Sequence, residues 1–180
     1  MQKPEHWKKL DRKTLYESKF LSLHVDQVSL PNGTVIPDYS VVDLPSGVVI
    51  VATDQENKLI TQFEYKYAID KVILNLPSGS MEPGVDILDM AKRELREETG
   101  YESDDMELIQ TLYEYPSKLS HTIHIVRAKN AHKAHTTNHE DTESISEVHL
   151  ISPDMEDFGG IFDATYTVSA IALTLPEYLK

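Results

Sequence analysis

GSMEPGVDILDMAKRELREETGY, residues 79–101, is the stretch on which the reading of this chain turns. Its spacing predicts a helix over 86–99. Asp86 stands as N-cap after the Pro83-Gly84 turn, and Gly100 stands where a left-handed residue ends a helix. On such a helix Glu94 and Glu98 lie one turn apart. Glu97, three residues from Glu94, shares their face. Leu88, Ala91 and Leu95 form an adjacent apolar face suited to a core contact. Clustered carboxylates repel and raise one another's pKa. Two readings are open. A divalent cation relieves the repulsion, with oxygen-only ligands suiting Mg²⁺ or Mn²⁺, or the face is a solvated acidic surface.

The stretch resembles the Nudix box, G-x5-E-x7-R-E-U-x-E-E-x-G-U with U apolar. Gly79, Arg93, Glu94, Leu95, Glu97, Glu98 and Gly100 match, with Tyr101 at the last apolar position. A match of this length at fixed spacing is specific. The resemblance implies a loop–helix–loop that holds Mg²⁺ against a diphosphate. By it, Glu94 and Glu98 are the principal metal ligands, Glu97 assists or bridges metals, and Ser78 offers its backbone carbonyl. The one departure is Val85, where the family has a Glu that partners the box Arg. The anchoring of Arg93 is therefore the open question inside the box.

The fold that the resemblance implies is α+β, the Nudix α/β/α sandwich with a mixed β-sheet between helices. The order of periodic segments is compatible with it. Residues 48–52 are a continuous apolar run, hence a strand buried on both faces. Strands are expected over 59–65, 71–76, 106–115, 121–128 and 145–151. A C-terminal helix is expected over 163–175, with Ala164, Val168, Ile171, Ala172 and Leu175 on its apolar side and Pro176 as its stop. Residues 130–144 read as a polar loop. Its His132, His135 and His139 invite a zinc reading, but they lack a fourth ligand at finger spacing, and a solvated loop is the plainer account.

Residues 1–45 read as a separate N-terminal region, followed by a hydrolase domain over 46–180. A strand over 14–30 with Leu21, Leu23 and Val25 alternating, the Pro31-Asn32-Gly33 turn and a return over 34–44 predict a β-hairpin. It resembles the dimerising N-terminal sheet of ADP-ribose and nucleoside-diphosphate-sugar hydrolases of the Nudix superfamily. A homodimer is implied, the alternative being an edge hairpin that covers only its own core.

The family likeness extends over about residues 20–175 and is strongest at the box. Gln62-Phe63-Glu64-Tyr65 resembles a Q-Y-R-Y segment, with Glu64 replacing a phosphate-contacting Arg and Lys66 as substitute cation. Asn75 and Ser78 depart mildly from E-L-P-A-G. Residues 115–126 resemble a P-G-x-S loop and its following strand, so Lys118 and Ser120 join Lys66 as expected substrate contacts. Residues 160–165 resemble the I-x-D-A-x-T start of a C-terminal helix. In this subfamily the general base is a Glu on the loop before the final strand. Glu143 is the first choice, Glu147 the second and Glu140 the third, with Glu97 in the box if none of them serves. Arg93 and Glu97 complete the expected catalytic set.

The chain's 180 residues, 40% apolar, suit one ordinary globular domain with a real core. There are no cysteines, so disulfides and thiolate metal sites are excluded. The N-terminus lacks an apolar signal region, and a cytoplasmic location is the expectation. A formal net charge of −13 disfavours nucleic acid and anionic membranes as partners. It also requires local cations wherever a polyanionic substrate docks.

The expected reaction is Mg²⁺-dependent hydrolysis of the diphosphate of a nucleoside diphosphate sugar, with ADP-ribose and GDP-mannose at the head. Two alternatives stand beside it: a nucleoside triphosphate pyrophosphatase, and a Nudix-fold domain that binds a nucleotide without catalysis.

Overall fold

The computed structural model describes residues 3–138, 144–152, 154–155 and 158–176. His139, Glu140 and Glu143 lie outside the described residues. The chain divides into two compact units, residues 1–45 with 113–122, and residues 46–112 with 123–180. Among the described residues no helix is long and apolar enough to cross a membrane.

The first unit is built on a three-stranded antiparallel meander, β1 (Lys8–Glu17), β2 (Ser22–Ser29) and β3 (Val35–Asp43). The sequence predicts a two-stranded hairpin; the structure adds a strand. The polar segment 8–13 is the body of β1, and residues 18–21 form a tight turn. There Ser18 Oγ accepts from the backbone N–H groups of Phe20 and Leu21. Alternating charge along β1 hid it, because an edge strand exposed throughout has no buried face to impose apolar alternation. The meander is fastened by ionic contacts. Arg12 grips Asp26 with two hydrogen bonds of 2.7 and 2.8 Å and reaches Asp43 at 3.3 Å. His24 stands 3.1 Å from Asp43. The Arg12 hydrogen bonds hold the Asp26 carboxyl below its ordinary range against the opposing effect of burial.

The second unit is the sandwich. Its strands are β4 (Gly47–Asp54), β5 (Leu59–Lys66), β6 (Lys71–Asn75), β7 (Ser78–Ser80), β8 (Tyr101–Glu102), β9 (Asp105–Tyr113), β10 (Thr122–Lys133) and β11 (Ile145–Ile151). β4 runs parallel to β10 and antiparallel to β7; β5 is flanked by β6 and β11, both antiparallel. The sheet is therefore mixed, as expected.

β4 shows why two layers of helix are needed. Val48, Ile50 and Ala52 face a cluster with Met90, Ala91 and Leu95 of helix α1 (Ile87–Glu94) and its continuation. Val49 and Val51 face another with Phe158, Phe162, Ala170 and Ile171 around helix α2 (Thr165–Thr174). Alternate residues of one strand feed two cores, hence the unbroken apolar run.

Helix α2 differs from expectation in its buried face. Thr167, Ala170, Ile171 and Thr174 are buried, while Ala172 is exposed. The helix begins at Thr165 with Ala164 as its N-cap. Its orientation is fixed by hydrogen bonding as well as apolarity. Thr167 Oγ1 donates to Asn75 Oδ1 at 2.6 Å, and the Tyr166 hydroxyl lies 2.7 Å from Asn75 Nδ2. Asn75 is fully buried, so these partners satisfy an amide that would otherwise destabilise the fold. Residues 130–133 are strand rather than loop, extending β10 to pair with β8.

Candidate functional site

The site assembles around the quoted stretch, within the second unit. Asp86 caps α1 by accepting from the N–H groups of Leu88 at 2.9 Å and Asp89 at 3.4 Å. Beyond Glu94 the helix does not continue as α. Residues Leu95–Thr99 widen into a π turn, closed by Gly100 at φ 73°. The Thr99 hydroxyl bonds back to the Leu95 carbonyl, and Gly100 N–H donates to Arg96 O at 2.8 Å. A methyl on Gly100 would run into the His135 carbonyl oxygen, which accepts this position's close backbone approach only from glycine.

The π turn changes where the carboxylates go. A regular helix would stack Glu98 directly over Glu94. Here Glu98 turns inward and is buried, at 4% exposure, while Glu97 keeps a partly open side chain 3.8 Å from Arg96. Glu98 Oε2 accepts two hydrogen bonds of 2.9 Å, from Ser78 N–H on β7 and from Gln62 Nε2 on β5. Glu94 lies against Gly79, where any side chain would strike its carboxylate. The glycine of the quoted stretch therefore makes room for the glutamate fifteen residues later.

Arg93 has a carboxylate partner after all. Glu82 Oε1, in the turn before α1, accepts from Arg93 Nη2 at 2.6 Å, and this contact raises the guanidinium pKa above its usual value. Val85 instead packs against the apolar cluster beneath α1. The partner lies three positions nearer the N-terminus, at the start of the Pro83-Gly84 turn, which is closed by Val85 N–H donating to Glu82 O at 3.2 Å.

Glu94, Glu97 and Glu98 are carried by the end of α1 and its π turn, with Glu98 bonded to Ser78 N–H. Among the described residues, no three His, Asp or Glu side chains converge into a ready cage. Gln62 is 1% exposed, yet its Oε1 is buried with no hydrogen-bond partner. Leaving such an acceptor unpaired costs about 1–3 kcal/mol.

The other sequence-predicted residues are placed as follows. Lys66 bonds to Glu64, which also accepts from Asn75 Nδ2 at 3.1 Å, so Lys66 is held by the acid that replaces the expected Arg. Lys118 and Ser120 belong to the first unit. Lys118 Nζ sits 4.5 Å from the centre of the Tyr39 ring, and Ser120 N–H donates to Val42 O at 3.2 Å. Glu147 is exposed on β11 and lines a groove of about 510 Å³ with Tyr101, Lys133 and His135.

The segment after β10 is tied to the box. Ala134 and His135 N–H groups donate to Gly100 O, both at 3.0 Å, and Asn138 N–H donates to Glu97 O at 2.7 Å. His132 and His135 approach Glu102 at 3.2 and 3.0 Å through separate carboxylate oxygens. Together they hold Glu102 below the ordinary carboxylate range, His135 contributing most. These histidines and Glu102 form a side-chain cluster at the end of the sheet. Gln62, Glu82 and this cluster were missed by sequence reasoning. Only Gln62 carried a signal, as the first residue of the Q-Y-R-Y likeness.

Residues 43–164 match the NUDIX domain family, and residues 7–42 match the nucleoside diphosphate sugar hydrolase N-terminal domain. The chain is 29% identical over 177 residues to a methanol dehydrogenase activator of Bacillus methanolicus, covering 96% of this chain and 95% of that protein. It is 29% identical over 122 residues to an ADP-ribose pyrophosphatase of Bacillus subtilis, covering 68% of this chain and 65% of the relative. A crystal structure of an ADP compounds hydrolase superposes with a TM-score of 0.80 at 22% identity, over 99% of this chain and 97% of the other, a likeness of fold.

Proposed function

The chain belongs to the NUDIX family, and on that premise we propose that it is a pyrophosphohydrolase that cuts the diphosphate of a nucleoside diphosphate sugar such as ADP-ribose or GDP-mannose. The products would be a nucleoside monophosphate and a sugar phosphate. The observation that carries the reading is the buried Glu98 carboxylate, held by neutral N–H donors beside Glu94 and Glu97 on the π-turned helix. The relatives named ADP-ribose pyrophosphatase, and the match of residues 7–42 to the sugar hydrolase N-terminal domain, support the substrate class.

Glu94, Glu97 and Glu98, with the Ser78 carbonyl, would hold Mg²⁺, for which Mn²⁺ may be exchanged in assays. Bound there, the cation would neutralise diphosphate oxygens and lower the pKa of an attacking water. The chain's own part is to fix the ligands. Ser78 N–H and Gln62 orient Glu98, Gly79 admits Glu94, and Glu82 holds Arg93 beside them. The water's proton goes to a loop glutamate outside the box. Glu147, at the groove beside Tyr101, competes for that role with Glu143, which lies outside the described residues. Glu143→Gln and Glu147→Gln, compared for kcat at saturating substrate, assign it.

A homodimer through the first unit belongs to the same proposal. β1 pairs with β2 along one edge only, and Leu10, Leu15 and Tyr16 on it are 45–56% exposed, a strand that gains by packing on a second copy. Light scattering at micromolar concentration checks this, a monomer counting against it. The substrate class is tested by a panel of sugar nucleotides and nucleoside triphosphates followed by phosphorus NMR. Release of inorganic pyrophosphate from triphosphates, with sugar nucleotides intact, sinks the reading.

A further inference from the structure

We propose that the Glu64–Lys66 pair is a selectivity element of this site, one that denies a further phosphate its cation and so favours a sugar nucleotide over a nucleoside triphosphate. The inference rests on the reading that a diphosphate docks at the box. Gln62, Glu64 and Lys66 alternate along β5 and share one face of the strand, in unbroken register with β6. Gln62, at the buried end, reaches Glu98 of the box. Glu64 and Lys66 follow toward solvent, about 7 Å and about 13 Å further along the strand. Their side chains are 16% and 35% exposed. A ligand that extends from the box along this face meets Glu64 and Lys66 next.

The charge of Lys66 is already neutralised there. Its Nζ bonds to Glu64 Oε1, and Glu64 is held in place in turn, since its Oε2 accepts from Asn75 Nδ2 at 3.1 Å. Asn75 is fully buried and its amide is fixed at both ends. Oδ1 accepts from Thr167 Oγ1 at 2.6 Å, and Nδ2 also donates to the Tyr166 hydroxyl at 2.7 Å. Helix α2 thus holds Asn75, Asn75 holds Glu64, and Glu64 holds Lys66. A fully exposed ion pair opens at little cost when another anion arrives, because water screens it. Here the acid is anchored to the core, so an incoming phosphate meets the carboxylate together with the ammonium. A neutral pair of this kind offers donors and acceptors side by side, which suits the hydroxyls of a sugar and not an added phosphate. Lys71, opposite Lys66 in the register, is exposed at the end of the hairpin.

The test measures kcat/KM of the whole protein for ADP-ribose and for ATP at saturating Mg²⁺, and reads the ratio of the two in each variant. Wild type should prefer ADP-ribose. Glu64→Gln keeps an acceptor for Asn75 and uncovers the charge of Lys66, so the ratio should shift toward ATP by about fivefold, the upper end for a partly exposed charge. Lys66→Met removes the cation and leaves the carboxylate uncompensated, so the ratio should shift toward ADP-ribose by a similar factor. Opposite shifts from the two halves of one contact are the signature of charge. A merely structural pair would lower both activities together and leave the ratio in place. Should one variant fail to fold, the direction of the shift in the other carries the test. Lys71→Met should leave the ratio at its wild-type value. If the variants leave the ratio unmoved or move it the same way, or if Lys71→Met shifts it as far as Lys66→Met does, the role of the pair is overturned and the sugar nucleotide reading stands. If wild type prefers ATP, that reading fails and the role of the pair falls with it.

Discussion

Asp26 in the first unit and Glu98 in the second are equally buried carboxylates, each 4% exposed, and the protein treats them in opposite ways. Asp26 faces Arg12, whose fork takes both of its oxygens. Its charge is neutralised and its hydrogen-bonding capacity is spent on holding β1 to β2. Glu98 receives hydrogen bonds from Ser78 N–H and Gln62 Nε2, which orient it. A buried acid closed by a guanidinium is a fastening. A buried acid held by amide N–H groups is, on the function proposed above, one that a cation would use. Burial alone does not separate structural from functional carboxylates.

The largest effect that would break this contrast is at Glu98. Glu98→Gln keeps the size of the side chain and removes its charge. Turnover should fall by about a hundredfold or more, because electrostatic stabilisation through a cation is the main catalytic contribution expected here. Chelation with EDTA should produce a loss of similar size, restored by Mg²⁺. The melting transition without metal should be near that of wild type. Full turnover in the variant at saturating Mg²⁺ would put Glu98 in the same class as Asp26.

Asp26→Asn should give the converse: normal turnover per folded molecule and reduced stability. One partner of a largely buried, bidentate pair is lost, but the Arg12 side chain is 31% exposed and can turn to water. A cost of about 2 kcal/mol in urea unfolding is expected. The pH dependence has a definite sign. Arg12 lowers the folded pKa of Asp26 below 3.8, so its contribution is fully present above that value. It is lost as pH falls through the depressed folded value, where Asp26 takes up its proton. Wild type should therefore lose its margin over Asp26→Asn progressively below about pH 4. A margin independent of pH across that window would show that the pair contributes by shape rather than by charge.

The same contrast explains how much could be read from the sequence. Glu94, Glu97 and Glu98 were legible because their spacing is fixed along one short segment, and so were the caps Asp86 and Gly100. β4 was legible because burial on both faces leaves an unbroken apolar run. β1 was not, because nothing along its ten exposed residues is required to be apolar. The buried face of α2 was misread because Thr167 and Thr174 are buried through hydrogen bonds, to Asn75 and to the helix backbone, that apolar periodicity does not encode. The π turn and the bond from Gln62 to Glu98 lay beyond reach for a related reason, although Gln62 itself heads the Q-Y-R-Y likeness. Local spacing predicts a regular helix, and a contact between residues 62 and 98 is set only when the sheet has formed.

The smallest expected effect concerns Arg93, which stands between the two kinds of carboxylate. Its partner Glu82 is 57% exposed and Arg93 itself 34%, so the pair is screened by solvent. An exposed ion pair contributes about 0.2–1 kcal/mol, and Glu82→Gln should lower activity by less than about fivefold. The informative experiment is to move the charge. Val85→Glu in the Glu82→Gln background restores a carboxylate at the box position that lacks one here. If the pair only anchors the guanidinium, the double variant recovers the lost activity. Val85 also packs beneath α1, however, so the added charge has a structural cost that Val85→Gln measures by itself. Activity should then order as wild type, double variant, Glu82→Gln, with KM for substrate nearly constant. Should Val85→Glu depress activity even after correction by Val85→Gln, the position of the carboxylate matters and Glu82 does more than anchor.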